Sequence, residues 1–86
     1  MLFSVLVETR LRPGIADPQG ATIERSLPHL GFDGIRGVRV GKAIRFELEA
    51  ADEMTARTHA DDVCQRFLIN PVIEAADVTV SIVEPA

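Results

Sequence analysis

The chain has 86 residues, enough for one small domain. A chain of this size buries only about 60–65% of the surface its unfolded form exposes, so its own core is modest. The net charge of −4 argues against a nucleic-acid partner, and a single cysteine excludes an internal disulfide framework or a cysteine-rich metal site.

The charge is unevenly spread. Residues 1–49 carry seven Lys/Arg against six Asp/Glu, whereas residues 50–86 carry two against seven. Arg36, Arg39, Lys42 and Arg45 form a basic cluster inside an acidic chain. With no Trp or Tyr and only four Phe, the aromatic core is thin, and burial against another subunit is expected. "MLFSVLVETRL" lacks a basic leader and a small-residue cleavage site and is too short to span a bilayer, so the cytoplasm is the expected location.

Residues 2–11 alternate, with Phe3, Val5, Val7 and Leu11 on one parity and Leu6 as the exception, which predicts a half-buried strand. "IADPQG" then reads as a helix start. Asp17 is the cap, since a residue before proline takes the extended geometry of an N-cap, and Pro18 falls at the first helical position. Gly20 costs roughly 1 kcal/mol inside a helix, and close packing of a neighbour on that first turn would account for it. The helix is expected to reach Leu30 with Ile23, Leu27 and Leu30 on one face. Pro28 should kink or shorten its last turn, and Gly31 followed by Phe32 predicts a Schellman stop.

Residues 34–50 predict two strands with a tight turn near Gly41-Lys42, the second burying Ile44, Phe46 and Leu48. A second helix is expected from about Asp52 to Leu68, with Ala56, Ala60, Val63, Cys64 and Phe67 as its apolar stripe and Asn70-Pro71 as its stop. "ADVTVSIV" predicts a last strand facing inward with Val78, Val80 and Ile82. The order βαββαβ predicts a single α+β domain over residues 1–86. Its expected form is a four-stranded, mainly antiparallel sheet with two helices on one face, ferredoxin-like in order.

Residues able to do chemistry are scarce. His29 and His59 lack a partner at ligand or acid–base spacing, which favours structural or surface roles. Cys64 lies in the apolar stripe and is expected to be a buried, inert thiol. Asp61-Asp62 splay apart on a solvated face. "VGKA" at 40–43 lacks the phosphate-loop pattern and reads as a turn. Arg39 and Arg45 have the parity opposite to Val38, Val40, Ile44 and Phe46. They are expected on the face away from the helices, open to an acidic partner surface or a phosphate-bearing metabolite. An RNA-recognition domain would need stacking aromatics on its central strands, and only Phe46 is there. An acylphosphatase-like hydrolase would need a phosphate-cradling loop after the first strand, which "LRPGIADPQG" does not resemble.

Taken in order, "RPGIADPQG", "LGFDGIRGVRVGKAI" and "NPVIEAADV" resemble the PurS family, the small subunit of three-component phosphoribosylformylglycinamidine (FGAM) synthase. The similarity runs from about Val5 to Val83. It implies a non-catalytic role in de novo purine synthesis, within an ATP-dependent, glutamine-using C–N ligase complex that converts the amide of FGAR to the amidine of FGAM. The implied partners are the large synthetase subunit, which holds the ATP (with Mg) and substrate site, and the glutaminase subunit. The small subunit would bridge them and support ammonia transfer, without a catalytic, cofactor or metal site of its own. The resemblance also implies a homodimer or homotetramer, with the sheet completed by subunit exchange, and no nucleic acid or membrane as partner. Carried over by position, the signature residues are Asp17 to Gly20, Gly31 and Phe32, Val38 to Lys42, and Asn70 to Glu74. The candidate partner contacts are Gln19, Gly20, Arg39, Lys42, Arg45 and Asn70. The competing reading is an ACT-like ligand-sensing domain that binds a small metabolite between paired subunits; it would show ligand-dependent thermal stabilisation without any partner protein.

Overall fold

The computed structural model describes residues 1–83. Three strands and two helices follow in the order β1 (Leu2–Leu11), α1 (Pro18–Ser26), β2 (Ala43–Glu49), α2 (Glu53–Val63) and β3 (Glu74–Ile82). β1 is the central strand, with β2 and β3 antiparallel on its two sides. Its alternation decides the buried face. Phe3, Val5 and Val7 are fully buried, with Leu48, Phe46 and Ile44 opposite them on β2 and Ile82, Val80 and Val78 on β3. Directly opposite residues share a face of the sheet, so these three rows form one apolar layer. α2 presses Ala56, Ala60 and Cys64 onto it, all without solvent contact; its small residues let helix and sheet approach closely.

α1 begins as the sequence predicts. The Asp17 carboxylate accepts the Gly20 N–H at 2.9 Å, and Pro18 occupies the first turn. The helix ends at Ser26 because Pro28 brings no N–H, and Pro28–Leu30 continue as one 3-10 turn. Gly31 then adopts φ 90°; its N–H donates to the Pro28 carbonyl and that of Phe32 to the Leu27 carbonyl, completing the Schellman pattern.

The structure differs from expectation in three places. The sheet has three strands among the described residues: residues 34–40 form no strand, and no turn at Gly41-Lys42 separates them from β2. The valine alternation does produce extended backbone there, but its inward N–H groups meet side-chain oxygens instead of a neighbouring strand. Only α2 covers the sheet, whereas α1 lies against that extended segment, so the two helices do not share one sheet face. Ile23 and Leu30, expected in the core, are exposed as a result, Leu30 by 70%. Finally, α2 passes into a π-helical turn over Cys64–Leu68, closed by the Ile69 N–H on the Cys64 carbonyl. The wider turn breaks the 3.6-residue period, so Ile69 enters the core and Phe67 is 83% exposed.

The molecule is a thin plate of 51 × 33 × 15 Å with a radius of gyration of 16.8 Å. A compact chain of this length would have about 12 Å.

Two outcomes test these packing statements. A Cβ on Gly20 would lie 2.5 Å from the Val38 carbonyl oxygen and 2.6 Å from Asp17 Oδ2. Helix propensity alone would make Gly20→Ala stabilising by about 1 kcal/mol, but this overpacking makes it destabilising by about 1–3 kcal/mol in urea unfolding. Phe67→Ala should change stability by no more than about 0.5 kcal/mol, a surface-sized effect, against the 3–5 kcal/mol typical of a core phenylalanine.

Candidate functional site

Segment 37–42 runs from Gly37, held at φ 73°, to the start of β2 and acts as a strap. Among the described residues, 33–41 make no backbone–backbone hydrogen bond. The Val38 N–H donates to Glu24 Oε1 at 2.9 Å, the Val40 N–H to Asp17 Oδ2 at 2.8 Å, and the Lys42 N–H to Thr9 Oγ1 at 3.0 Å. Donors at every second residue turned to one side are the signature of extended backbone. Asp17 therefore has two tasks: one oxygen caps α1 and the other holds the strap. The N–H of Gly20 first, then that of Val40, keeps the Asp17 carboxyl below its ordinary value of 3.8, with the Arg39 charge adding to them. Gly20 is needed because the Val38 carbonyl crosses directly over its Cα, and Gly41 because a Cβ there would meet the Thr9 carbonyl.

Where the strap joins the sheet, a cleft of about 280 Å³ opens between the first turn of α1 and the ends of β1, β2 and β3. Gln19, Lys42, Thr9 and Glu74 are among its lining residues. Glu74 is only 12% exposed at its side chain and takes the Asn70 N–H at 2.8 Å on one oxygen, with Lys42 Nζ 3.5 Å from the other. The Asn70 N–H chiefly, then Lys42 and Thr9, hold its carboxyl below the ordinary 4.5. Three stretches far apart in sequence, around Asp17-Gln19, Val40-Lys42 and Glu74, thus meet at one place. A broader hollow on the outer side of α2, which includes Met54, Thr58, His59 and Asp61, gathers residues from that helix and its extension alone.

Of the six sequence-derived candidates, Gln19 and Lys42 line the cleft together. Gly20 is buried under Val38 and serves packing. Asn70 shapes the turn into β3: its Oδ1 accepts the Val72 N–H and its carbonyl accepts those of Ile73 and Glu74. Arg39 stands exposed on the strap near Asp17. Arg45 points away from α2, opposite Leu6, on the uncovered face of the sheet. Thr9 and Glu24 were missed. Thr9 carried a signal, a polar residue on the buried parity of β1 directly after Val7; Glu24 carried none. Cys64 is buried, and burial first, then the Asp61 and Glu74 charges, push its thiol up from 9.0, the reverse of what a nucleophile needs. Among the described residues, no three His, Cys, Asp or Glu side chains gather as metal ligands, and no helix is long and apolar enough to cross a membrane.

A thin three-stranded plate with one covering helix, a polar cleft and a buried thiol defines a small α+β domain. Comparison with known proteins gives the particular family. The model of the PurS family, phosphoribosylformylglycinamidine (FGAM) synthase, matches residues 4–82, and the chain belongs to that family. It is 36% identical to the FGAM synthase subunit PurS of Methanothermobacter thermautotrophicus, over 98% of this chain and 99% of that one. It is 47% identical to the PurS subunit of a Synechocystis species, over 74% of this chain and 64% of that relative. Among solved structures, the PurS subunit of Thermotoga maritima matches with a TM-score of 0.86 and 33% identity, covering 94% of this chain and 93% of that one. A chain in the PurLQS structure from the same organism matches with a TM-score of 0.86 and 32% identity, over 94% and 99%.

The carboxylate contacts set a pH response. Asp17 and Glu74 have folded values below their unfolded ones, so their stabilisation is complete above the unfolded values, 3.8 and 4.5, and is lost as pH falls through the folded ones. Urea midpoints should therefore fall steadily on acidification below about pH 5. Asp17→Asn keeps one oxygen for the cap but sets an amide NH2 where the second acceptor stood, so it should be less stable than the wild type at neutral pH and show a shallower acid limb.

Proposed function

We propose that this chain is the small, non-catalytic subunit of an FGAM synthase complex, joining the large synthetase subunit to the glutaminase subunit in purine biosynthesis. The observation that carries this reading is the family match over residues 4–82, together with the likeness to a chain of the Thermotoga PurLQS structure. The chemistry belongs to the partners: the synthetase uses ATP with Mg, and the glutaminase releases ammonia from glutamine. This chain holds the two so that ammonia passes between them, in the cytoplasm.

A homodimer or homotetramer is part of the proposal. The plate is far more extended than a self-sufficient chain of its length, and among the described residues the edges of β2 and β3 away from β1 have no neighbouring strand. Of the candidate contacts, Gln19 and Lys42 are assigned to partner recognition: among the described residues no hydrogen bond ties the Gln19 side chain, and the Lys42 side chain stays more than half exposed although it pairs with Glu74. Arg39 and Arg45 present further charge, whereas Gly20 and Asn70 act through the fold.

Reconstitution with the synthetase and glutaminase of the same organism tests the role. Amidine formation driven by glutamine should require this chain, while formation driven by ammonium should not. Equal glutamine-dependent turnover without the chain would overturn it.

A further inference from the structure

Residues 13–41, which carry α1 and most of the strap, form a lobe apart from the rest of the chain. Among the described residues every hydrogen bond of this stretch closes within it, except one from the Ile15 N–H to the nearby Arg12 carbonyl. Among the same residues no ion pair leaves it. None of its side chains belongs to the apolar core or to the half-buried residues packed on that core. Its one buried residue, Gly20, is covered by the lobe's own Val38 carbonyl and Asp17 carboxylate.

Two legs join the lobe to the sheet, and both stand at the same end of β1. At the first, the Arg12 N–H donates to the Ile73 carbonyl at 2.8 Å and its Nε to the Pro71 carbonyl at 2.9 Å. At the second, Thr9 and Lys42 share two bonds, of 2.8 and 3.0 Å. Each leg meets the lobe beside a glycine. Gly14 holds φ 86° with nothing within 4 Å of where its Cβ would stand, and Gly41 directly precedes Lys42. Two fixed points define one axis of rotation, and glycine gives the backbone beside each a wide choice of dihedral angles. Burial usually opposes such rotation, but here no core contact has to break. The bonds from Asp17 and Glu24 to the strap lie inside the lobe, so they stiffen it without tying it to the sheet.

The polar cleft lies across this boundary. Asp17, Gln19 and Val40 reach it from the lobe, and Thr9, Lys42 and Glu74 from the sheet side. Rotation about the legs changes the separation of Gln19 from Lys42, while the pairing of Lys42 with Glu74 stays within the sheet body. We propose that the lobe of residues 13–41 turns as one body about the Arg12 and Lys42 legs, and that a partner segment seated in the cleft fixes its angle. The hinge stands on this geometry, and its closure by a partner rests on the assembly reading above.

Spin labels test the hinge, since the chain's one cysteine is buried and engineered surface cysteines take the label. Arg25→Cys on α1 with Thr79→Cys on the bare sheet face spans the hinge, whereas Arg57→Cys on α2 with Thr79→Cys lies within the main body. With labelled chain diluted in excess unlabelled chain, the hinge-spanning distance distribution should be about twice as broad as that of the main-body pair. It should narrow to the width of the main-body pair once the synthetase and glutaminase are added. Amide exchange reads the rigidity of the lobe itself: the N–H groups of Gly20, Val38 and Val40 should be protected together. Equal widths in the free chain, or Val38 and Val40 amides that exchange as fast as an unfolded peptide, overturn the hinge. Breadth that persists in a complex active with glutamine overturns closure by a partner. Glutamine-dependent turnover that ignores this chain overturns the assembly reading, and the free-chain distances still judge the hinge.

Discussion

The carboxylate of Asp17 is the interaction on which the rest of this structure depends. One oxygen starts α1 and the other takes an N–H from Val40, 23 residues further along the chain. Without that second bond the strap would keep only Glu24 and the two bonds between Thr9 and Lys42 as anchors among the described residues. The same bond fixes α1. The helix buries no large side chain, so its position relative to the sheet is set through the strap rather than through a core of its own. A charged acceptor bonded to two backbone donors is among the stronger hydrogen-bonding arrangements, and here it replaces a hydrophobic interface.

This explains the kinds of residue found around it. Glycine at 20 and at 41 is what lets two backbones approach within contact distance, once over the first turn of α1 and once over the end of β1. Proline at 18 costs no hydrogen bond. Much of the resemblance to PurS at these positions is therefore structural. Gln19 and Lys42 reach the same cleft from either side of the Asp17–Val40 bond, so holding the strap also assembles the polar surface.

Much of the fold was legible in the residues, and the misses share one cause. The parity of Phe3, Val5 and Val7 gave the central strand and its buried face, and the Asp17 cap and the Gly31-Phe32 stop are local patterns that the chain realises as written. Val38 and Val40 correctly signalled extended backbone, but periodicity reports local geometry and says nothing about the partner. Here side-chain oxygens 14 and 23 residues away stand in for a strand. Phe67 fits an apolar stripe only while the helix keeps its 3.6-residue period, and one π turn removes that condition. At the site, the resemblance named Gln19 and Lys42. That they share a cleft with Thr9 and Glu74 follows from the β1–β3 register, which no short motif encodes.

The 15 Å dimension of the plate has a mechanical consequence. One helix layer on one sheet layer is about the least material that can keep a sheet face dry. No residue is then far from either broad surface, so a body resting on the helix side and another resting on the bare sheet are separated by a shim of constant gauge. The fully buried row of Phe3, Val5 and Val7, backed by Ala56 and Ala60, makes that gauge hard to compress. A stiff spacer of this kind transmits the position of one neighbour to the other without having to change shape itself.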